Sequence, residues 1–189
     1  MSKITLMPIN LNFLGQKKPI STKTQENLVG SLKTLTQDTV SFKGISGSKL
    51  NEKALVLLYM DQLEEFNNLR KENTFFKPNF NFVNLSNMNL KGINLKESFL
   101  EQASFKKSHL ENANFYKAVL YDANLEGAFL NGADLRESDL KYANLTNADL
   151  EGVQLHGARY NSQTKFPENF DPEAHKMVEI IEEQTEQVE

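Results

Sequence analysis

The stretch "GADLRESDLKYANLTNADLEG", residues 132–152, places Leu135, Leu140, Leu145 and Leu150 five residues apart. On an α-helix of 3.6 residues per turn, a step of five rotates each leucine by about 140°, so the four scatter round the axis instead of forming one apolar stripe. On a strand of period two they alternate between faces. Neither regular element buries this spacing.

Outward from Leu135 the phase runs back to Phe80 and forward to Tyr160: seventeen consecutive positions, all Leu, Phe or Tyr, with no insertion. Two residues before each centre lies a second column, Val83 to Ala158, which is Ala or Ser at twelve of its sixteen positions. Large and small inward residues therefore alternate. The position between them is Asn or Asp in ten of seventeen cases, and the two after the centre are mostly Lys, Glu, Asn, Gly or Gln. Those three face water. Two inward residues in five require a corner after each unit, which Asn, Asp and Gly favour, and a coil that closes when four sides return it to its start. Stacked at strand spacing, such coils pair their backbones and form a solenoid with a dry axis.

The units "ANLEG", "ADLRE", "ANLTN" and "ADLEG" resemble the A(D/N)LXX repeats of the pentapeptide-repeat family. The resemblance covers roughly residues 80–160 and implies an all-β solenoid: a right-handed quadrilateral β-helix with four repeats per coil and about four coils. Core columns then read Leu100, Leu120, Leu140; Leu85, Phe105, Leu125, Leu145; Leu90, Leu110, Leu130, Leu150; and Leu95, Phe115, Leu135, Leu155. The first repeats, "VNLSN", "MNLKG" and "INLKE", carry larger Val, Met and Ile in the small column, which predicts a wider or differently packed first coil.

An open solenoid exposes core and strand edges at both ends, so the flanks should cap it. Residues 48–77 hold Leu55, Leu58, Tyr59, Leu63, Phe66 and Leu69 at helical spacing, with Ser48 or Asn51 as N-cap. They predict one N-terminal capping helix, followed by Phe75, Phe76, Phe80 and Phe82 as plugs. Residues 78–160 are the repeats. Residues 161–189 resemble the closing segment of bacterial pentapeptide-repeat proteins. There Phe166 and Phe170 cover the last coil, and Asp171 and Pro172 start a short C-terminal helix before an acidic tail. Residues 1–47, polar and without periodicity, are expected to be disordered alone. Two short matches inside them, "LNFLG" (Phe13, Gly15) and "VSFKG" (Phe42, Gly44), share apolar-x-Phe-x-Gly and suit an added strand.

Composition narrows the function classes. The absence of cysteine excludes disulfides and thiolate metal sites, and no apolar run is long enough to span a membrane. A cytoplasmic location is expected. Residues 1–77 carry eleven basic and seven acidic side chains, net +4; residues 78–160 eight and ten, net −2; residues 161–189 two and eight, net −6. A filled solenoid offers no pocket, and no catalytic, cofactor-binding or metal-binding residues converge: His109 and His156 fall outward on different faces. The chain reads as a non-enzymatic protein-protein interaction scaffold that uses no cofactor and meets an unidentified protein partner. Its candidate surface is Phe99, Val119, Tyr121 and Tyr142 on one face, with Tyr116 at the preceding corner. Coverage of that face by the N-terminal segment competes with partner binding, and a homodimer through the face or an end of the solenoid is compatible with either. The alternative is a DNA-mimic regulator of a nucleic-acid enzyme such as a type II topoisomerase, which needs extended negative tracks. Direct nucleic-acid binding is not expected, since no face is basic enough.

Overall fold

A computed structural model describes residues 47–181. Between Asn79 and Lys165 the chain winds as stacked coils joined by parallel bridges. Asn79, Phe99, Val119, Asp139 and Arg159 form one ladder with rungs twenty residues apart. Three further ladders start at Asn84, Asn89 and Asn94, one for each remaining side. Four repeats thus make one coil, and four steps at about 4.8 Å give a rod near 20 Å long.

The repeat grammar follows from the backbone bonds. In every unit but that of Leu85 the amide three residues after a centre donates back to the centre's carbonyl, as Ala113 does to Leu110 at 2.9 Å. The residue two after the centre takes positive φ at all sixteen corners, from Phe82 to Gly157. A positive φ at the third turn position is the type II signature. Glycine suits it, but Lys, Glu and Tyr occupy several corners at an energetic cost. The centre amide and the corner amide donate to the next coil, so Leu130 reaches Asp149 O and Gly132 reaches Glu151 O, both at 2.9 Å. Only the amide just after the centre lacks a place in this scheme. The Asn or Asp before the centre takes it: the Tyr116 amide donates to Asn114 Oδ1 at 3.0 Å and the Glu126 amide to Asn124 Oδ1 at 3.0 Å. Nine of the ten Asn and Asp at that position do this, Asn89 being the exception. The polar column therefore closes a backbone account as well as facing water.

Inside, Phe105 and Phe115 meet edge to face at 5.6 Å, and the centres from Phe80 to Leu145 are 0–1% exposed. The small column leaves room for them: Ala103 to Ala143 are equally buried. Ser108 and Ser138, which carry a hydroxyl into the core, satisfy it on the carbonyls of Leu85 and Leu135, both at 2.8 Å.

The N-terminal cap is two helices, α1 (Gly47–Tyr59) and α2 (Leu63–Glu72), where the spacing predicted one. The break has a local cause. Asp61 adopts φ 57°, the Gln62 amide reaches Leu57 O at 2.8 Å, and Asp61 reaches Leu58 O at 3.1 Å, the paired bonds of a Schellman end. Leu50, Ala54, Leu57 and Leu58 bury one face of α1, while Phe66 of α2 lies 6.2 Å from Phe80 and covers the axis. Polar side chains of the helices replace the missing coil. The Tyr59 hydroxyl donates to Asn84 O at 3.1 Å, Asn67 Nδ2 to Gly92 O at 3.0 Å, and Arg70 Nε to Asn94 O at 3.1 Å. In return the amides of Asn79 and Asn94 donate to the side chains of Asn51 and Asn67, each at 2.9 Å. Asn51 is thus bonded to the solenoid instead of capping the helix. Of the four expected plugs, Phe76 and Phe80 are buried, but Phe75 and Phe82 are 96% and 70% exposed. Phe82 sits at a corner with φ 62°, and corners point outward.

The predicted C-terminal helix does not form. Asp171 Oδ1 does accept from Glu173 and Ala174, at 3.0 and 3.3 Å, but the turn stops at Lys176, whose φ is 55°. The chain then runs as strand β2 (Val178–Glu179) parallel to β1 (Arg159–Tyr160). The open carbonyls of Ala158 and Tyr160 take the amides of Val178 and Ile180 at 2.8 and 2.7 Å. Pairing with a vacant strand edge outweighs a helix signal only one turn long. Phe166 packs against Tyr160 at 5.6 Å and Phe170 at 5.0 Å, and Phe170 stacks on His175 at 4.5 Å, forming an aromatic cover at this end.

Candidate interaction surface

The outward positions of a stacked coil meet their counterparts twenty residues away, so the surface is a set of ladders. Phe99 bridges Val119 directly, and Tyr121, which with Val119 flanks buried Leu120, contacts Tyr142 at 4.9 Å between ring centroids. Phe99 is 40% exposed; the other three are half-buried. Lys141 Nζ stands 5.6 Å over the Tyr121 ring. Below them Arg159 donates to Asp139 at 3.1 Å, which ends the apolar part of this side.

Tyr116 lies at another corner and in different company. Lys96, Lys117 and Arg136 surround its ring at 5.5, 5.1 and 5.7 Å, and its hydroxyl donates to Glu137 Oε1 at 2.8 Å. It is a hub of cation–π and charged contacts and not part of the apolar patch. The apolar-x-Phe-x-Gly segments at Phe13, Gly15, Phe42 and Gly44 lie outside the described residues.

One pair escaped the sequence reading. On the side opposite Phe99, His109 stacks on Phe129 at 4.6 Å, and Phe129 is 40% exposed. Its signal was the twenty-residue separation between two ring side chains at equivalent positions.

Charge follows the same rule. Lys77–Glu97, Lys91–Glu111, Lys106–Glu126, Lys117–Glu137 and Arg159–Asp139 are ion pairs at 2.8, 3.0, 2.9, 3.3 and 3.1 Å, each spanning twenty residues. Asp134 is held by Arg136 at 2.7 Å. Six of the ten carboxylates in residues 78–160 are therefore paired, leaving Glu101, Asp122, Asp149 and Glu151. The hydrogen bond from Lys77 holds the Glu97 carboxyl below its usual range. That from the Tyr116 hydroxyl does the same for Glu137, and that from Arg136 for Asp134. No described group of three or more His, Asp or Glu side chains is placed to hold a metal ion, and no described helix is long and apolar enough to cross a membrane.

A four-sided stack of five-residue units with leucine and phenylalanine columns defines a pentapeptide-type β-solenoid. The family's pattern, pentapeptide repeats, matches residues 79–115 and 118–157 as eight copies. A pentapeptide repeat protein from Nostoc Pcc 7120 is 34% identical, with a TM-score of 0.56 over 60% of this chain and 94% of that one. The chain belongs to the pentapeptide-repeat family, whose members form right-handed quadrilateral β-helices. It is also similar to the pentapeptide repeat protein Rfr23 from Cyanothece 51142, at 34% identity over 48% of this chain and 61% of that one, TM-score 0.47. HetL, a protein involved in heterocyst differentiation regulation in Nostoc sp. PCC 7120, is 28% identical over 46% and 48% of the two chains, TM-score 0.38. No curated protein matches the chain.

Proposed function

We propose that the chain is a non-enzymatic scaffold that binds a protein partner through the side of the rod bearing Phe99, Val119, Tyr121 and Tyr142. One observation carries this: the axis is filled by the chain's own side chains, while Phe99, Val119, Tyr121 and Tyr142 stand as adjacent apolar and aromatic groups on one outer side. Such a rod has no interior for substrate, and its outer residues are free of any packing duty. Aromatic side chains at the centre of an otherwise polar surface are the usual anchors of protein interfaces. We place this activity in the cytoplasm.

DNA mimicry is the weaker reading, because six of the ten carboxylates that would form a negative track sit beside a cation. The deciding experiment is affinity capture from a source-cell lysate with the full chain, a chain lacking residues 1–47, and the pair Phe99→Lys with Tyr121→Lys. Partners should survive the deletion and vanish with the double substitution. Loss with the deletion alone would transfer binding to the N-terminal segment.

A further inference from the structure

The bonding rule between coils exposes a gap in the last one. In every interior repeat the centre amide and the corner amide donate onward, and the carbonyl two before the centre accepts from the next coil, as Ala128 O does from Asp149 at 2.9 Å. In the last coil the C-terminal segment meets these needs at Leu145, Gly157, Ala158 and Tyr160. Between them it turns away at Phe166 to build the aromatic cover. The amides of Asn147, Leu150, Gly152 and Leu155 and the carbonyls of Ala148 and Val153 have no hydrogen-bond partner among the described residues. Leu150 is also the one Leu or Phe centre that is not buried. This is a strand edge with its apolar step uncovered.

The charge beside it selects the occupant. Asp149 and Glu151, the outward neighbours of Leu150, are two of the four repeat carboxylates without a cation, and both are exposed. Five carboxylates of the rod face a cation one coil away, and for Asp139 that cation, Arg159 at 3.1 Å, comes from the following coil. A strand added over Leu150 would put its residues above Asp149 and Glu151 two apart, with the residue between them pointing inward onto Leu150. The first coil has unpaired backbone groups too, the amides of Asn84, Met88, Asn89 and Lys91 and the carbonyls of Ser86, Asn89 and Lys91 among the described residues, but Lys91 beside them is already paired with Glu111 at 3.0 Å.

We propose that the edge at residues 147–155 accepts an extended basic segment of a partner protein as an added strand, reading Lys-Leu-Lys or a close equivalent over Asp149, Leu150 and Glu151. This rests on the reading of the rod as a protein-binding scaffold and names a second contact on it.

The probe is a synthetic nine-residue peptide with Ala-Lys-Leu-Lys-Gly at its centre, added to the full chain while amide exchange is followed by NMR. The peptide should slow exchange at Leu150 and Gly152 by about fivefold or more at saturation. Two controls should not: the Glu-Leu-Glu peptide, and the lysine peptide N-methylated at its first lysine, whose amide is needed by Ala148 O. Asp149→Lys with Glu151→Lys should weaken the lysine peptide about tenfold and favour the glutamate one. Equal protection by both peptides, or none by either, overturns the proposal. So does protection already present in the free chain, whether it is lost on dilution (a second copy) or on removal of residues 1–46 (the chain's own segment). Phe99→Lys with Tyr121→Lys should leave peptide protection intact, so failure of the aromatic surface and failure of the edge are separately visible.

Discussion

Truncating Leu120 to alanine should cost about 4 kcal/mol. Leu120 is fully buried and stacked between Leu100 and Leu140, also fully buried, in the middle of the rod. Leucine-to-alanine changes in cores cost about 2.7–5.0 kcal/mol, the higher figures applying where surroundings cannot collapse into the cavity. Collapse is hindered here because Leu120 and the residues around it are fixed by ladder bonds to both neighbouring coils, such as Leu120 N to Asp139 O at 2.9 Å. The same change at Leu150 should cost about half as much, since that side chain is already part-exposed and its far side has no coil. Urea titrations followed by circular dichroism measure both through the midpoint at constant slope. Equal losses, or a larger loss at Leu150, would refute the stacked-column account, because the twenty-residue stacking is what makes the middle of the rod differ from its end.

Gly132→Ala should destabilise by about 1–2 kcal/mol, since φ 68° is strained for alanine and its Cβ would meet Asn112 Oδ1 at 2.7 Å. Gly92→Ala, with nothing within 4 Å of the new Cβ, should lose only the backbone part, and thermal melts of the two separate these contributions. Acid should weaken the rod: Glu97, Glu137 and Asp134 have lowered folded pKa values, so their stabilisation is present above the unfolded value and is lost as pH falls through the folded one. Tm should hold steady above about pH 5 and decline below about pH 4. Lys117→Glu and Glu137→Lys should each lower Tm at low salt, and the two together should recover much of the loss, because the pair spans one coil step. No recovery would mean the ladder pair is not formed in solution.

Much of the fold was legible because the repeat is short and uninterrupted. Seventeen centres in phase specify inward and outward residues without reference to any distant part of the chain, and Gly127, Gly132, Gly152 and Gly157 mark corners that the backbone confirms. Folding the sequence at twenty also brings together the Lys–Glu pairs and the His109–Phe129 stack. Tyr116 precedes the apolar side along the coil, and its ring of three cations comes from Lys96, Lys117 and Arg136 on three successive coils.

The ends were not legible in the same way. A helix signal at Asp171 and Pro172 is local, whereas the strand at Val178 exists because Ala158 and Tyr160 present carbonyls that no further coil will use. Likewise Tyr59, Asn67 and Arg70 look like ordinary surface residues of a helical stretch until the first coil places bare backbone beneath them. The five-residue period by itself determined the coil, its core and its corners, since each depends on residues within one repeat. What closes the first coil, and what leaves the last one open beside Asp149 and Glu151, was decided only in the tertiary structure, where unpaired backbone groups meet segments remote in sequence.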